Sequence, residues 1–203
     1  MYGSVSFQEW VSPPPIINGF LYTICGLFVF TTILTGCPKP IAPEKMIPTQ
    51  IGTEYLISSG PFYKSISVSN VGGGKETNPM MFSEIGNPEL EEAIITSLRG
   101  YNYHALSTED AKYKLNVFLV EIDRPKSGFT TTITAFVRYK LSEIENNRTV
   151  IDEIVKTTDT KTGEEVFVGL TKMRIAQEEA IKKNIIEFIK ILFAFNKAIS
   201  TRD

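Results

Sequence analysis

A stretch of about 20 residues without a single charge, Ile16 to Thr35, divides this chain into two unlike parts. A helix of roughly 20 apolar residues spans the ~30 Å hydrocarbon core of a bilayer, and an export signal contains a similar but shorter apolar region. All 21 Lys and Arg residues follow this stretch, and Glu9 is the only acidic residue before Cys37. The stretch is therefore a membrane helix or an export signal, and the folded domain follows it.

The apolar stretch ends in Leu34-Thr35-Gly36-Cys37. This pattern resembles the lipobox of bacterial lipoprotein precursors, in which a peptidase cuts just before a cysteine that carries lipid. The resemblance implies that residues 1–36 are a signal peptide and that Leu34, Thr35 and Gly36 are read by the signal peptidase. It also implies that Cys37 is the lipidation site, with a diacylglyceryl group and an N-acyl chain such as palmitate. Such chains would hold the protein to a membrane, since each buried CH₂ contributes ~0.8 kcal/mol.

Two observations bear on where in the cell envelope the protein is located. Residues 1–15 contain no Lys or Arg, whereas export signals begin with a positive region, so an uncleaved helix of a single-pass inner-membrane protein stays open as an alternative. In lipoproteins of enteric bacteria an aspartate after the cysteine favours the inner membrane. Pro38 stands there instead, and the resemblance therefore favours the outer membrane, with the domain facing the periplasm.

A proline-rich segment follows the cysteine, with Pro38, Pro40, Pro43 and Pro48 within PKPIAPEKMIPT. Prolines at this density favour extended polyproline geometry. We therefore interpret residues 37–58 as the lipid-attachment cysteine and a tether, and we place the domain at residues 59–200.

Periodicity predicts the elements of that domain. FYKSISVSNV alternates apolar residues with serines and is typical of a strand, and Asn87-Pro88 begins a helix that ends near Gly100. Tyr113 to Arg124 reads as a strand covered on both faces along part of its length. The next strand, from Phe129 to Leu141, has the clearest alternation in the chain, with a threonine row at 130, 132 and 134 on the polar face.

A turn at 145–148 leads to a strand over 149–158, and a helix over 172–199 ends the domain. The predicted fold is α+β: a two-layer sandwich with a mainly antiparallel sheet of about four strands and two helices on one face, in the order β-α-β-β-β-α.

This element order resembles several small envelope lipoproteins. They are the lipopolysaccharide-assembly lipoprotein of the outer-membrane translocon, accessory lipoproteins of curli secretion, auxiliary lipoproteins of lipid-transport ABC systems, and the N-terminal domain of the Tol-system propeller protein. The likeness covers residues 60–195 as element order alone, so no functional residue is carried over from these families.

Residue counts exclude several kinds of chemistry. Cys25 and Cys37 both precede the domain, and His104 is the only histidine, so thiolate or histidine-rich metal sites are not expected. The Gly72–Lys75 loop lacks the earlier glycine and the Ser or Thr of a Walker motif. Glu121 and Asp123 share a strand face and could in principle form an acid/base pair. Their place at the strand end, where polar residues lead into a turn, explains them without a catalytic role. We predict no catalytic residue, metal or cofactor.

The last helix is apolar nearly all round near its end, in FIKILFAF. One helix face buries only a ~100° stripe, so some of these side chains need a second cover. The segment from Ile51 to Ile57 is one candidate cover. The alternative is a partner patch made of Phe188, Leu192, Phe193 and Phe195.

These features predict a non-enzymatic, lipid-anchored envelope protein that serves as an accessory, assembly or binding component of a membrane complex. Its expected partners are the membrane, through lipid on Cys37, and another envelope protein. The net charge of −2 gives no reason to expect nucleic acid. The alternative from another class is an envelope enzyme with an acid-based site.

Overall fold

The computed structural model describes residues 41–49, 52–77, 83–124, 130–162 and 169–201. Along these ranges the elements are α1 (Pro43–Met46), a short 3-10 helix (Thr53–Tyr55), β1 (Ile66–Gly72), α2 (Asn87–Gly100), β2 (Tyr113–Asp123), β3 (Thr131–Glu143), β4 (Thr149–Lys161) and α3 (Gly169–Ser200).

The four strands form one sheet in the order β1-β2-β3-β4. β1 runs parallel to β2, and α2 makes the crossover between them, while the other two neighbouring pairs are antiparallel. This mixed sheet with its helices confirms the predicted α+β fold and the order β-α-β-β-β-α, to which the structure adds the short helix α1.

One face of β3 supplies the centre of the core. Its inward side chains are fully buried, as the strict alternation of the sequence predicts: Ile133, Ala135, Val137, Tyr139 and Leu141. The α3 helix covers this face, and the ring of Phe188 stacks on that of Tyr139 with centroids 3.9 Å apart. The strand and the helix thus bury each other's apolar faces.

Two buried asparagines fix the position of α3. Asn184 accepts a hydrogen bond from the Tyr139 hydroxyl at 3.0 Å and donates to the carbonyl of Val155 at 2.7 Å. Near the C-terminal end of the helix, Asn196 accepts from the Phe62 amide at 2.9 Å and donates to the Ser59 carbonyl at 3.1 Å. Since buried polar groups must be paired, these bonds specify one position of the helix on the sheet.

The proline-rich segment differs from its prediction. We interpreted residues 37–58 as a tether, but α1 packs between α2 and α3, and Ile41 and Met46 are fully buried in the core. Ile57 is buried as well, and the Tyr55 ring meets that of Phe193 edge to face at 5.5 Å. The domain therefore begins at or before residue 41. The apolar contacts of this segment outweigh the preference of its prolines for extended geometry.

Candidate functional site

Within the described residues, the most distinctive surface is the sheet face that α2 and α3 leave uncovered. Outward side chains on three strands make it partly apolar, with Phe118 52 %, Val120 46 % and Ile154 56 % exposed and Phe136 half-buried. We call these four residues the open-face cluster. A solvated sheet face normally carries polar side chains, so large apolar residues here need an explanation.

Strand register brings the cluster together. Phe118 lies opposite Arg138, which lies opposite Ile154, so the three form one row across β2, β3 and β4. Phe136 occupies the next row, where Lys156 Nζ lies 5.3 Å from its ring centroid. Val120 is the extra residue where the β2–β3 register shifts, and it is exposed like Phe118 two residues before it.

Charged residues of both signs border the cluster. Arg138 forms a two-pronged ion pair with Asp152, with both N–O distances at 2.7 Å. Its hydrogen bonds hold the pKa of Asp152 below the usual range, while Asp152 raises the pKa of Arg138. Glu121 and Asp123 share this outward face, as predicted, because their register partners are Phe136 and Thr134. The face as a whole is amphipathic.

The threonine row is an exposed sheet face, as predicted. Thr132 pairs with Thr160 through their hydroxyls at 3.0 Å, and Thr134 pairs with Thr158 at 3.1 Å. These cross-strand hydroxyl pairs satisfy each other in solvent and stabilise the sheet modestly.

Sequence reasoning missed the open-face cluster. The sequence predicts a strand from Tyr113 to Arg124 that is covered on both faces along part of its length, whereas Phe118 and Val120 lie on a face that the described helices leave open. A signal was present in Phe136 and Ile154, which occupy positions on the polar side of otherwise alternating strands.

The partner patch on α3 is corrected by the structure. Phe188 and Leu192 are buried in the core, and Phe193 contacts Tyr55. Of the four, Phe195 is exposed, at 36 %, and Phe193 is partly exposed. The surplus apolar surface of this helix is covered from within the chain by the segment before β1, the other explanation that the sequence left open.

A small polar cleft lies where β1 and β2 end. It has a volume of about 230 Å³, and Lys75, Glu84, Glu121 and Arg124 are its charged lining residues. Arg124 binds both carboxylate oxygens of Glu84, and it also donates to Gln177 Oε1 at 3.1 Å. Arg124 Nε is buried without a partner among the described residues. Two of the four charged groups of the cleft, Arg124 and Glu84, are therefore bound to each other.

The glycine loop beside this cleft has a structural role. Gly73 has a φ of 81°, and a Cβ there would lie 2.1 Å from the carbonyl oxygen of Leu119, so only glycine fits. The Gly74 amide donates to Asn87 Oδ1 at 2.7 Å. The loop is therefore fastened to β2 and to the start of α2. It does not present a free cradle of amides to a phosphate.

His104 is half-buried and donates from Nδ1 to the carbonyl oxygen of Ala105 at 2.6 Å. Burial lowers the pKa of His104 below its usual value, and the charge of Arg99 adds to this against the opposing effect of the Ala105 hydrogen bond. This environment is that of a structural histidine.

A pH dependence follows from His104. The unfolded chain binds its proton more readily than the folded state, so stability rises with pH between the folded pKa and the unfolded value of about 6.5, and falls as pH drops through that window. Because it is the only histidine, His104→Gln should remove this part of the slope. Urea unfolding at about pH 5 and about pH 7.5 measures it. An unchanged slope in the variant would contradict the assignment.

The lipidation pattern, Leu34 to Cys37, lies outside the described residues. No helix in the described ranges is both long and apolar enough to cross a membrane. The same ranges contain no group of three or more His, Cys, Asp or Glu side chains arranged to hold a metal ion.

Comparisons with known proteins identify the fold. Neither a protein-family model nor a curated protein sequence matches the chain. Protein XCC0632 from Xanthomonas campestris, of the DUF330 family, has a similar structure, with a TM-score of 0.52 and 12% identity over 70% of this chain and 92% of that one. At this identity the likeness shows a shared fold and nothing finer.

Two lipoproteins also match in structure at lower scores. The minor lipoprotein from Acinetobacter baumannii gives a TM-score of 0.40 and 14% identity over 65% of this chain and 92% of its own. Lipoprotein GNA1162 from Neisseria meningitidis gives 0.37 and 9% identity over 61% of this chain and 98% of its own.

Proposed function

We propose that this chain is a lipid-anchored, non-enzymatic envelope protein that acts as an accessory or binding component of a membrane complex. The Leu34 to Cys37 pattern supports the anchor, with Cys37 carrying lipid and residues 1–36 removed. Pro38 favours the outer membrane as its location, with the domain facing the periplasm. Anchoring would confine the domain to two dimensions and raise its effective concentration near membrane partners.

The open-face cluster is the observation that carries the binding role. The described helices cover one side of the sheet. The other side presents apolar side chains that lie near both acidic and basic residues. Interfaces commonly combine a small apolar centre with a polar rim, and this face has both. We assign Phe118 and Val120 to the contact with another envelope protein.

The burial of Ile41 sharpens how the anchor would act. Only Pro38, Lys39 and Pro40 stand between Cys37 and this core residue in the sequence. Three residues are too few for a long spacer, since an extended chain covers at most ~3.6 Å per residue. A lipidated form would therefore work close to the membrane surface.

An envelope enzyme is the second candidate, and the polar cleft is the observation that favours it. Lys75 and Glu121 line the cleft beside the bound pair of Arg124 and Glu84. Acid–base catalysis needs a group free to exchange a proton with substrate. With Arg124 holding both oxygens of Glu84, the cleft is better suited to fastening β2 to the segment before α2.

Crosslinking in native membranes tests the proposal on the full chain. We expect a reproducible crosslinked partner, and we expect the double variant Phe118→Ser/Val120→Ser to lower its yield about tenfold, the effect of ~1.4 kcal/mol of lost binding. The matched control is Leu56→Ser/Leu170→Ser, which changes two other apolar residues, each 46% exposed, and should leave the yield unchanged.

Two results would count against it. Recovery of monomer alone, with no reproducible partner, would contradict the binding role, and equal yields from the two double variants would remove Phe118 and Val120 from the contact.

The lipid anchor is tested separately by Cys37→Ser, which should release the chain from membranes. If that variant kept its size and its membrane attachment, residues 16–35 would be an uncleaved helix and the lipid anchor would be wrong.

A further inference from the structure

We infer that β4 is a pairing edge for a second copy of this chain. β4 spans Thr149–Lys161 at the border of the sheet and is paired with β3 alone among the described strands. An unpaired edge of this length offers a row of backbone donors and acceptors to another strand. This inference goes beyond the proposed function, because it names a second copy rather than a different envelope protein.

The charges of β4 are complementary to themselves in one register. If two copies of β4 pair antiparallel about Ile154, Asp152 of each copy lies opposite Lys156 of the other, and the two Ile154 side chains meet. Opposite charges on directly opposed positions stabilise a strand pair, and so do apolar pairs. Two pairs of opposite charge therefore flank one apolar contact on the outward face, where Asp152 is shared between Arg138 of its own chain and Lys156 of the other.

The neighbouring registers lack this match. Centring the pair on Asp152, Glu153 or Lys156 places that charged residue opposite its own copy, which is unfavourable. Centring it on Val155 places Ile154 opposite Lys156 twice. Charged residues on an edge strand ordinarily prevent pairing, and here the same charges select the register centred on Ile154.

Contacts from α3 set the length of the pairing. Lys183 Nζ lies 3.3 Å from the Thr158 carbonyl oxygen and 2.7 Å from Asp159 Oδ1, which covers the end of β4. The ladder therefore runs from Ile151 to Thr157 in each copy. Phe136 and Ile154 of both copies then lie on one continuous outward face, which joins the two open-face clusters.

Disulfide trapping tests this register on the full chain in membranes. Residues directly opposed across an antiparallel pair have Cα atoms ~4.5–5.5 Å apart, within disulfide range. Under mild copper–phenanthroline oxidation, Ile154→Cys should convert most of the chain to a reducible dimer. Thr160→Cys is the matched control on the same strand, and it should give no more dimer than the parent chain.

A mixed experiment confirms the register. Chains carrying Asp152→Cys should crosslink to chains carrying Lys156→Cys, while neither variant crosslinks alone. Equal dimer from Ile154→Cys and Thr160→Cys would overturn the inference, as would an Ile154→Cys chain that stays monomeric or joins a different protein. The Phe118→Ser/Val120→Ser variant does not alter β4. A failure of the proposed contact with another envelope protein can therefore be told apart from a failure of the β4 pairing.

Discussion

Replacing Phe188 by alanine is expected to lower the free energy of unfolding by about 3–5 kcal/mol. The Phe188 ring is fully buried and stacks on Tyr139 with an interplanar angle of 7°, so the substitution removes apolar burial and leaves a cavity beside a second aromatic ring. A loss of this size is a large fraction of the 5–15 kcal/mol that typically separates folded and unfolded domains. Urea unfolding followed by far-UV circular dichroism measures it.

Phe195→Ala is the matched control on the same helix. Phe195 is 36% exposed and its truncation leaves no closed cavity, so we expect a change within about 1 kcal/mol. The pair distinguishes the two explanations for the apolar end of α3. If Phe188→Ala unfolded with the same midpoint as the parent, the stacked core contact would be wrong, and the helix end would be a surface after all.

Local periodicity predicted the parts of the fold in which burial is set by a repeating pattern. On β3, Ile133 and Tyr139 fall on the inward face because the side-chain period of a strand is two residues. In α2, Leu90, Ile94 and Leu98 fall on one face because the helical period returns there. In both cases each residue's environment follows from its neighbours along the chain.

Features that depend on distant partners were not predictable in this way. Nothing near Phe118 in the sequence indicates that none of the described helices packs over it, because an apolar strand run is the same whether one face or two are covered. Arg124 meets Glu84 and Gln177 from separate parts of the chain, and the bound Arg124 and Glu84 line the polar cleft. The candidate site is a product of tertiary packing, which single-sequence patterns do not encode.

The packing of the segment before β1 was also not predictable from local patterns. A substitution in this segment gives the second large expected loss of stability. Met46 is fully buried where α1 packs between α2 and α3. We expect Met46→Ala to lower the free energy of unfolding by about 2–5 kcal/mol, because a buried methionine side chain is replaced by a cavity. Glu44→Ala, at an exposed position of the same short helix, should stay within about 0.5 kcal/mol.

Urea unfolding of both variants decides whether residues 41–49 belong to the domain. A spacer contributes nothing to the cooperative unit, so as a tether the segment would tolerate Met46→Ala as well as Glu44→Ala. A loss confined to Met46→Ala instead makes the proline-rich segment part of the core. Lipid on Cys37 would then be joined almost directly to the folded domain, because Ile41 from the same segment is buried with Met46. Equal stabilities for the two variants would restore the tether that the prolines predict.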